Sequence, residues 1–465
     1  MSEKSEGQKK EEALSYRRRN YFETASAEER EKMFEYAEGY KAFLDAGKTE
    51  REACDAAVKL AEAKGFKPYQ MGDALKKGDK RYFVNRGKSV VVFRVGTRNL
   101  EEDGIRLIAS HIDAPRVDIK QNPLYEDGNM CFLKTHYYGG IKKYQWTAIP
   151  LSLHGVVMLA DGRKVEIRVG DEPSDPVFYI NDLLPHLGKD QMSQTGDKII
   201  EGEQLNVLVG GLPYADEEVK DKIKLTVLSI LNEKYGMTEE DFISAELSAV
   251  PAFPARDVGF DRALIGAYGH DDRVCAYPAL TAVLDNETEH TVLAALVDKE
   301  EIGSEGTTGM QCKVYEDLIE EICVAFGASV RKVRAASKCL SSDVTACFDP
   351  NFANVYDKRN AAMISCGTCM NKFTGARGKS GSNDASAEFV GEVRRMFAQE
   401  GVVWQTAELG KVDAGGGGTV AMYISKLNID TVDLGVPVIS MHAPYELVSK
   451  ADLYSTYLAF RAFMK

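Results

Sequence analysis

Residues 291–301 read TVLAALVDKEE, an apolar run that breaks into a cluster of acids. The run has the texture of a strand, and the acids fall where that strand ends. Four further clusters follow apolar, strand-like sequence: SHID (Ser110–Asp113), GHDDR (Gly269–Arg273), SSD (Ser341–Asp343) and SMH (Ser440–His442). A single acid after a strand carries little information. Five such ends, with two well-placed histidines, His111 and His442, and several carboxylates, read as one metal site assembled from distant segments.

Outward from this stretch the chain alternates. From Phe253 onward, strand-like TVLAALV, KVRAASKCL and VPVISMH are interleaved with helix-like VYEDLIEEICVAF, ASAEFVGEVRRMFAQ and ELVSKADLYSTYLAFRAF. This alternation predicts an α/β layer fold, a mostly parallel-stranded sheet sandwiched by helices. Near the start, Ser26 caps a predicted helix over 27–46 that Gly47 stops. Thr49 and Glu52 form a capping box for a second helix over 50–64, with Gly65 beyond its end. Both are expected to cover one edge of the sheet. RYFVN, SVVVFRVG and IRLIASHID are strand signals. Residues 118–252 differ in texture, with short β-branched runs and no helical pattern before Lys220–Lys234. They are expected to form an inserted β-rich domain, leaving 1–117 plus 253–465 as a discontinuous catalytic domain.

Composition narrows the function. At 465 residues, two domains are the default. The net charge of −13 argues against nucleic acid as a partner, because phosphate binding needs basic stripes. The opening MSEKSEGQKKEE lacks the apolar stretch of a signal peptide, and no run approaches a membrane span. Nine scattered cysteines suit a reduced cytoplasmic location. Cys366 and Cys369 form a C-G-T-C pair, but no second CxxC exists to complete a zinc site, and burial is the expected role.

In open α/β sheets, ligands lie outside the carboxyl ends of the strands, where His111, Glu301, Asp343 and His442 are expected. Two divalent ions close together need a bridging carboxylate and further acid or imidazole ligands. Asp271 is the natural bridge, with His111 and Asp343 on one ion and Glu301 and His442 on the other. Ligation without thiolate suits zinc, and also cobalt or manganese. Asp113 is placed to orient the His111 imidazole. Glu300, beside a ligand yet free, can take a proton from an attacking water and pass it to a leaving amine. The loop FTGARGKSGSND (Phe373–Asp384) offers Arg377 and Lys379 to an acidic substrate side chain.

At these residues the chain resembles the aspartyl aminopeptidase family of zinc metallopeptidases. ASHIDAPR, HYYGG, DDRV, EEIGS, SSD, GGGGTVA and VDLGVPVISMH occur in the family's order across nearly the whole chain. The resemblance implies a zinc-peptidase-like catalytic domain, an inserted oligomerisation domain and two zinc ions per subunit. It also implies peptide substrates and a homododecamer built from dimers. His111, Asp271, Glu301, Asp343 and His442 match its metal ligands and Glu300 its catalytic base. His186, in LLPHL, matches a histidine that reaches a neighbouring subunit's active site. Where the family often has D-H-E-E this chain has Asp298, Lys299, Glu300 and Glu301, so both acids survive. Two other readings are a dinuclear hydrolase of non-peptide amides and an inactive cage or cargo-binding homologue. Intact ligand and base positions speak against the second.

Overall fold

The strand Thr291–Val297 is apolar on both sides because both sides are covered. Val292, Ala294 and Leu296 enter one hydrophobic core, and Leu293, Ala295 and Val297 enter another on the opposite face. A computed structural model describes residues 4–465 of the chain. In it, this strand lies within a nine-stranded sheet. The order is Lys67–Pro68, Lys80–Asn85, Ser89–Arg94, Thr291–Val297, Ile105–His111, Lys338–Ser341, Asp430–Gly435, Thr368–Asn371 and Trp404–Thr406. Four central neighbours, from Thr291–Val297 to Asp430–Gly435, run parallel. Register places Val297 beside His111. Their carboxyl ends therefore lie at one edge, which is what brings the sequence clusters together.

The sheet is more mixed than the sequence suggests. Ser89–Arg94 is antiparallel to both its neighbours, and Thr368–Asn371 is antiparallel to Asp430–Gly435. The turn NRGK between Lys80–Asn85 and Ser89–Arg94 makes a hairpin, which requires antiparallel pairing.

Both N-terminal caps form as read: Ser26 starts the helix Ala27–Ala46, where Glu29 completes a capping box, and Thr49 and Glu52 start Glu50–Ala63. These helices cover a face of the sheet instead of an edge. Tyr40, Phe43, Ala53, Cys54 and Ala57 share a core with the helices His270–Asp285 and Lys450–Met464. One strand reading and one helix reading also change. KVRAASKCL begins inside the helix Val330–Ala336 and only Lys338 onward is strand, since VRKV buries Val333 at helical spacing. In the run from Glu446, residues Glu446–Ser449 form a strand before Ser449 caps the helix.

Residues 116–251 supply a second, seven-stranded antiparallel sheet with its own core around Trp146, Leu151, Val157 and Ile180. Its strand Ala245–Pro251 pairs with both Arg116–Asp127 and Pro150–Met158, so six of the strands close into a ring. The helix Lys222–Tyr235 packs on it, its first N–H groups taken up by the Glu126 carboxylate. Between Ile180 and Val207 a long segment carries exposed Leu183, Leu184, Leu187 and Met192.

Candidate metal centre

Each acid or histidine is set by a local device. His111 ends its strand. Asp271 occupies a non-helical turn (φ −76°, ψ 109°) that precedes the helical body of residues 273–285. Glu300 and Glu301 begin a short 3-10 turn directly after Lys299, whose φ of 67° folds the chain back sharply after Val297. Asp343 follows Lys338–Ser341, and His442 is held at φ 65°.

These devices bring all five candidate ligands and Glu300 to one place. The carboxylate of Asp271 faces two histidines at once: its Oδ1 lies 3.1 Å from His111 Nε2 and its Oδ2 lies 3.1 Å from His442 Nε2. His442 Nε2 is also 3.6 Å from Glu301 Oε2, while His111 Nε2 is 3.9 Å from both Asp343 Oδ1 and Glu300 Oε2. Behind each ring an acceptor takes the other nitrogen. The Nδ1 of His111 lies 3.0 Å from the Asp113 carbonyl, and that of His442 lies 2.7 Å from the Gly140 carbonyl. Both Nε2 atoms are thus aimed inward.

Asp113 does more than orient a ring. Fully buried, it accepts the backbone N–H of Glu300 (3.1 Å) and of Glu301 (3.2 Å) as well as the Tyr138 hydroxyl (2.9 Å). Glu446 plays a parallel part, accepting the N–H of Asp271 and of His442. Glu446 carries no signal as a site residue in the sequence, where it sits within helical texture, and Tyr138 stands in the HYYGG motif with nothing there to give it a role. Asp272 is a third addition. Its carboxylate is buried beside His111 and Asp343, and the D-D pair was the available signal.

The electrostatics are those of acids crowded together. Burial drives the Asp343 and Glu301 carboxyls well above their ordinary range, with help from Glu300 and Asp271 respectively. Burial also lifts Glu300 to about 7, reinforced by Asp271 and Asp113 and opposed by His111. Burial disfavours a charged His442, yet the hydrogen bond to Asp271 and the charge of Glu301 raise it to about 10. Such a set calls for cations. Glu301 Oε1 and both Asp272 oxygens are buried without a hydrogen-bond partner. Three groups have ligand atoms within 4.8 Å of one another: His111–Glu300–Glu301, His111–Asp272–Asp343 and Asp271–Glu301–His442. Imidazole and carboxylate donors, orphaned and buried, fit zinc.

The centre opens into a cavity of about 330 Å³. Arg377 lines it, as do Phe373, the glycines 415–418 and Lys411, which the sequence reading passed over. Lys379 turns away, pairing with Asp384 at 3.1 Å and lying over the Phe373 ring. His186 is exposed on the second sheet's long segment and does not line the cavity. Cys366 and Cys369 are buried free thiols, apart from the three groups.

Comparison with known proteins agrees across the chain. The family model described as aminopeptidase I zinc metalloprotease (M18) matches residues 43–464. The protein named "Probable M18 family aminopeptidase 1" in Clostridium acetobutylicum is 48% identical over 441 residues, covering 93% of this chain and 95% of that one. The crystal structure of an M18 aminopeptidase from Thermotoga maritima superposes with a TM-score of 0.93 at 43% identity, covering 97% of this chain and 100% of the other. The mApe1 dodecamer of S. cerevisiae, 21% identical, shares the fold with a TM-score of 0.75, covering 92% of this chain and 95% of that one.

Proposed function

Since the chain belongs to the aminopeptidase I zinc metalloprotease (M18) family and is a zinc metalloaminopeptidase, we propose that it removes N-terminal residues from peptides at a dinuclear centre that Asp271 would hold together with His111, Asp343, Glu301 and His442. One observation carries this reading: the two oxygens of Asp271 each face a different histidine at 3.1 Å. On this reading His111 and Asp343 would hold one zinc, and Glu301 and His442 would hold the other. Zinc bound there supplies Lewis acidity toward the scissile carbonyl and lowers the pKa of water.

The chain's own residues do the rest. Asp113 fixes the His111 ring and the turn that presents Glu300. Glu300 takes a proton from the attacking water as the new C–O bond forms, then gives it to the amine as the C–N bond breaks. Arg377 and Lys411, on the cavity wall, support a preference for acidic N-terminal residues.

We assign 1–117 plus 253–465 to catalysis and 118–252 to self-association in a homododecamer built from dimers. Support comes from the exposed leucines around His186 and from the dodecameric mApe1 relative. His186 would then act in a neighbour's site. The nine free cysteines support a cytoplasmic location, and no helix among the described residues is long and apolar enough to cross a membrane.

The test is turnover of Asp, Glu, Leu, Ala and Lys anilides, before and after chelation and with zinc, cobalt or manganese returned, beside zinc counting per chain. Two zinc ions and metal-dependent cleavage of acidic substrates support the reading. One ion at full activity removes the dinuclear centre, and equal rates on all substrates remove the acidic preference.

A further inference from the structure

Three consecutive residues of the second sheet reach the centre, and each meets a different member of it. Tyr138 donates its hydroxyl to Asp113 Oδ2 at 2.9 Å. Gly139, at φ +73°, lies so close to Glu301 that an added Cβ would stand 3.3 Å from both Cβ and Oε2 of that residue. Gly140 accepts the Nδ1–H of His442 through its carbonyl. The corner that ends the strand Met130–Tyr138 is therefore fitted to the centre at three points.

We propose that Tyr138 is a positioning residue for hydrolysis: it holds Asp113, and through Asp113 it holds the Glu300–Glu301 turn and the His111 ring. The inference rests on the zinc peptidase reading of the centre. Asp113 has no exposure to solvent, so no water stands ready to replace a lost donor. Its Oδ1 serves the Glu300 N–H and lies 3.2 Å from His111 Nδ1, while its Oδ2 serves the Glu301 N–H and the Tyr138 hydroxyl. Without the hydroxyl, Oδ2 keeps only the longer of these bonds. The carboxylate is then free to turn, and both glutamates turn with it.

Tyr138 is itself fixed from behind. The Arg116 guanidinium lies 4.0 Å from the centre of its ring and is paired with Glu50 at 3.0 Å and Asp118 at 2.8 Å. The stack involves the ring and the hydrogen bond involves the hydroxyl, so the two can be separated. Tyr138→Phe keeps the stack and removes only the bond to Asp113. The second sheet is thus a wall of the metal centre in its own chain, in addition to any part in assembly.

The experiment compares wild type, Tyr138→Phe and Tyr137→Phe as full-length zinc-loaded proteins. Tyr137 is the half-exposed neighbour. Two quantities are read: kcat and KM on a cleaved anilide, and the chelator concentration that withdraws half the zinc, followed with a zinc indicator. Tyr138→Phe is expected to lower kcat or zinc retention by about 10–100-fold, with KM little changed, as for other outer partners of metal ligands. Tyr137→Phe is expected to match wild type. A Tyr138→Phe protein with wild-type kcat and zinc retention overturns the proposal, including one that has merely lost thermal stability. Gly139→Ala is the second variant, expected to weaken zinc retention by displacing Glu301; native zinc retention in it counts against the three-point fit. A wild type that neither holds zinc nor cleaves the anilide defeats the functional reading itself, which separates that failure from this one.

Discussion

Asp113 accepts the backbone N–H of Glu300 through Oδ1 at 3.1 Å. The residue that steadies a ligand ring, through its carbonyl at 3.0 Å and its Oδ1 at 3.2 Å, thus also places the proton carrier, so orientation of the histidine and of the base share one residue. Replacing Asp113 by Asn puts an NH₂ group among four donors. We expect a loss of about 10–100-fold in activity, zinc affinity or both. Titration of the variant with zinc, followed by kcat at saturation, separates the two.

Glu300→Gln should retain zinc and lose activity. The amide preserves the shape of the side chain but cannot carry the proton. A reduction in kcat of about 10²–10⁴-fold is expected. Turnover near wild type, with zinc content verified, would remove Glu300 from the base role.

Withdrawal of zinc should lower thermal stability. Asp271, Glu301 and Asp343 are then left crowded together with only His111 and His442 to offset their charge. At a free zinc concentration 100 times the Kd, the bound ion contributes about 2.7 kcal/mol for a single site. Calorimetry before and after chelation checks this; an unchanged Tm with zinc shown to have left contradicts it.

A buried charge cluster joins the second sheet to the helix Glu50–Ala63. His154 lies 2.8 Å from Glu52 and 3.3 Å from Asp171, which also binds Lys48 at 2.7 Å. Burial pushes Asp171 upward, but His154 and Lys48 outweigh it and hold the carboxyl well below its usual range; Glu52 is likewise lowered by His154. Burial disfavours charged His154, yet Asp171 and Glu52 raise its pKa. The carboxylates' contribution is present above their unfolded pKa and fades as pH falls through the lowered folded values. The histidine's contribution is complete below its unfolded pKa and fades as pH rises through the raised folded one. The cluster should therefore stabilise most between about pH 4.3 and 6.5. Asp171→Asn should cost about 3 kcal/mol at pH 6 and less at pH 9. Urea unfolding at both values is the measurement, and an equal loss at the two would contradict the assignment.

The two cationic side chains of the loop 373–384 should behave differently. Arg377 lines the cavity, whereas Lys379 is engaged by Asp384 and Phe373. Arg377→Ala should raise KM for Asp and Glu substrates about 10-fold relative to Leu, the scale of losing a charge-assisted hydrogen bond of about 1.5 kcal/mol. Lys379→Ala should shift it far less. The reverse order would assign specificity to Lys379.

The centre was legible in the sequence because its members sit at strand ends, where an apolar run stops abruptly at a histidine or acid. The Ser26 cap and the Thr49–Glu52 capping box were legible for a similar reason, since both are local signals. What escaped depends on neighbours remote in the chain. Tyr138 and Glu446 act only because folding brings them to Asp113 and Asp271, over 25 and 175 residues. The antiparallel pairing of Thr368–Asn371 with Asp430–Gly435 depends on how the intervening chain returns, which no hydrophobic period encodes. The helix Val330–Ala336 was hidden because seven residues give too few turns to separate a helical from an extended pattern.

The large sheet ends on one side in the two-residue strand Lys67–Pro68 and on the other in the three-residue Trp404–Thr406. The first carries a proline, which has no amide hydrogen to offer a newcomer, beside a lysine, and both are exposed. The closed ring in the second sheet reduces the same hazard by occupying strand edges with its own neighbours. The strand left outside that ring, Lys164–Val169, carries exposed Lys164, Glu166 and Arg168, so copies of this chain crowded side by side meet charge at that free edge. Contacts among them are left to side chains, which can be specific and reversible, and the protein can reach high local concentration without sliding toward amyloid-like stacking.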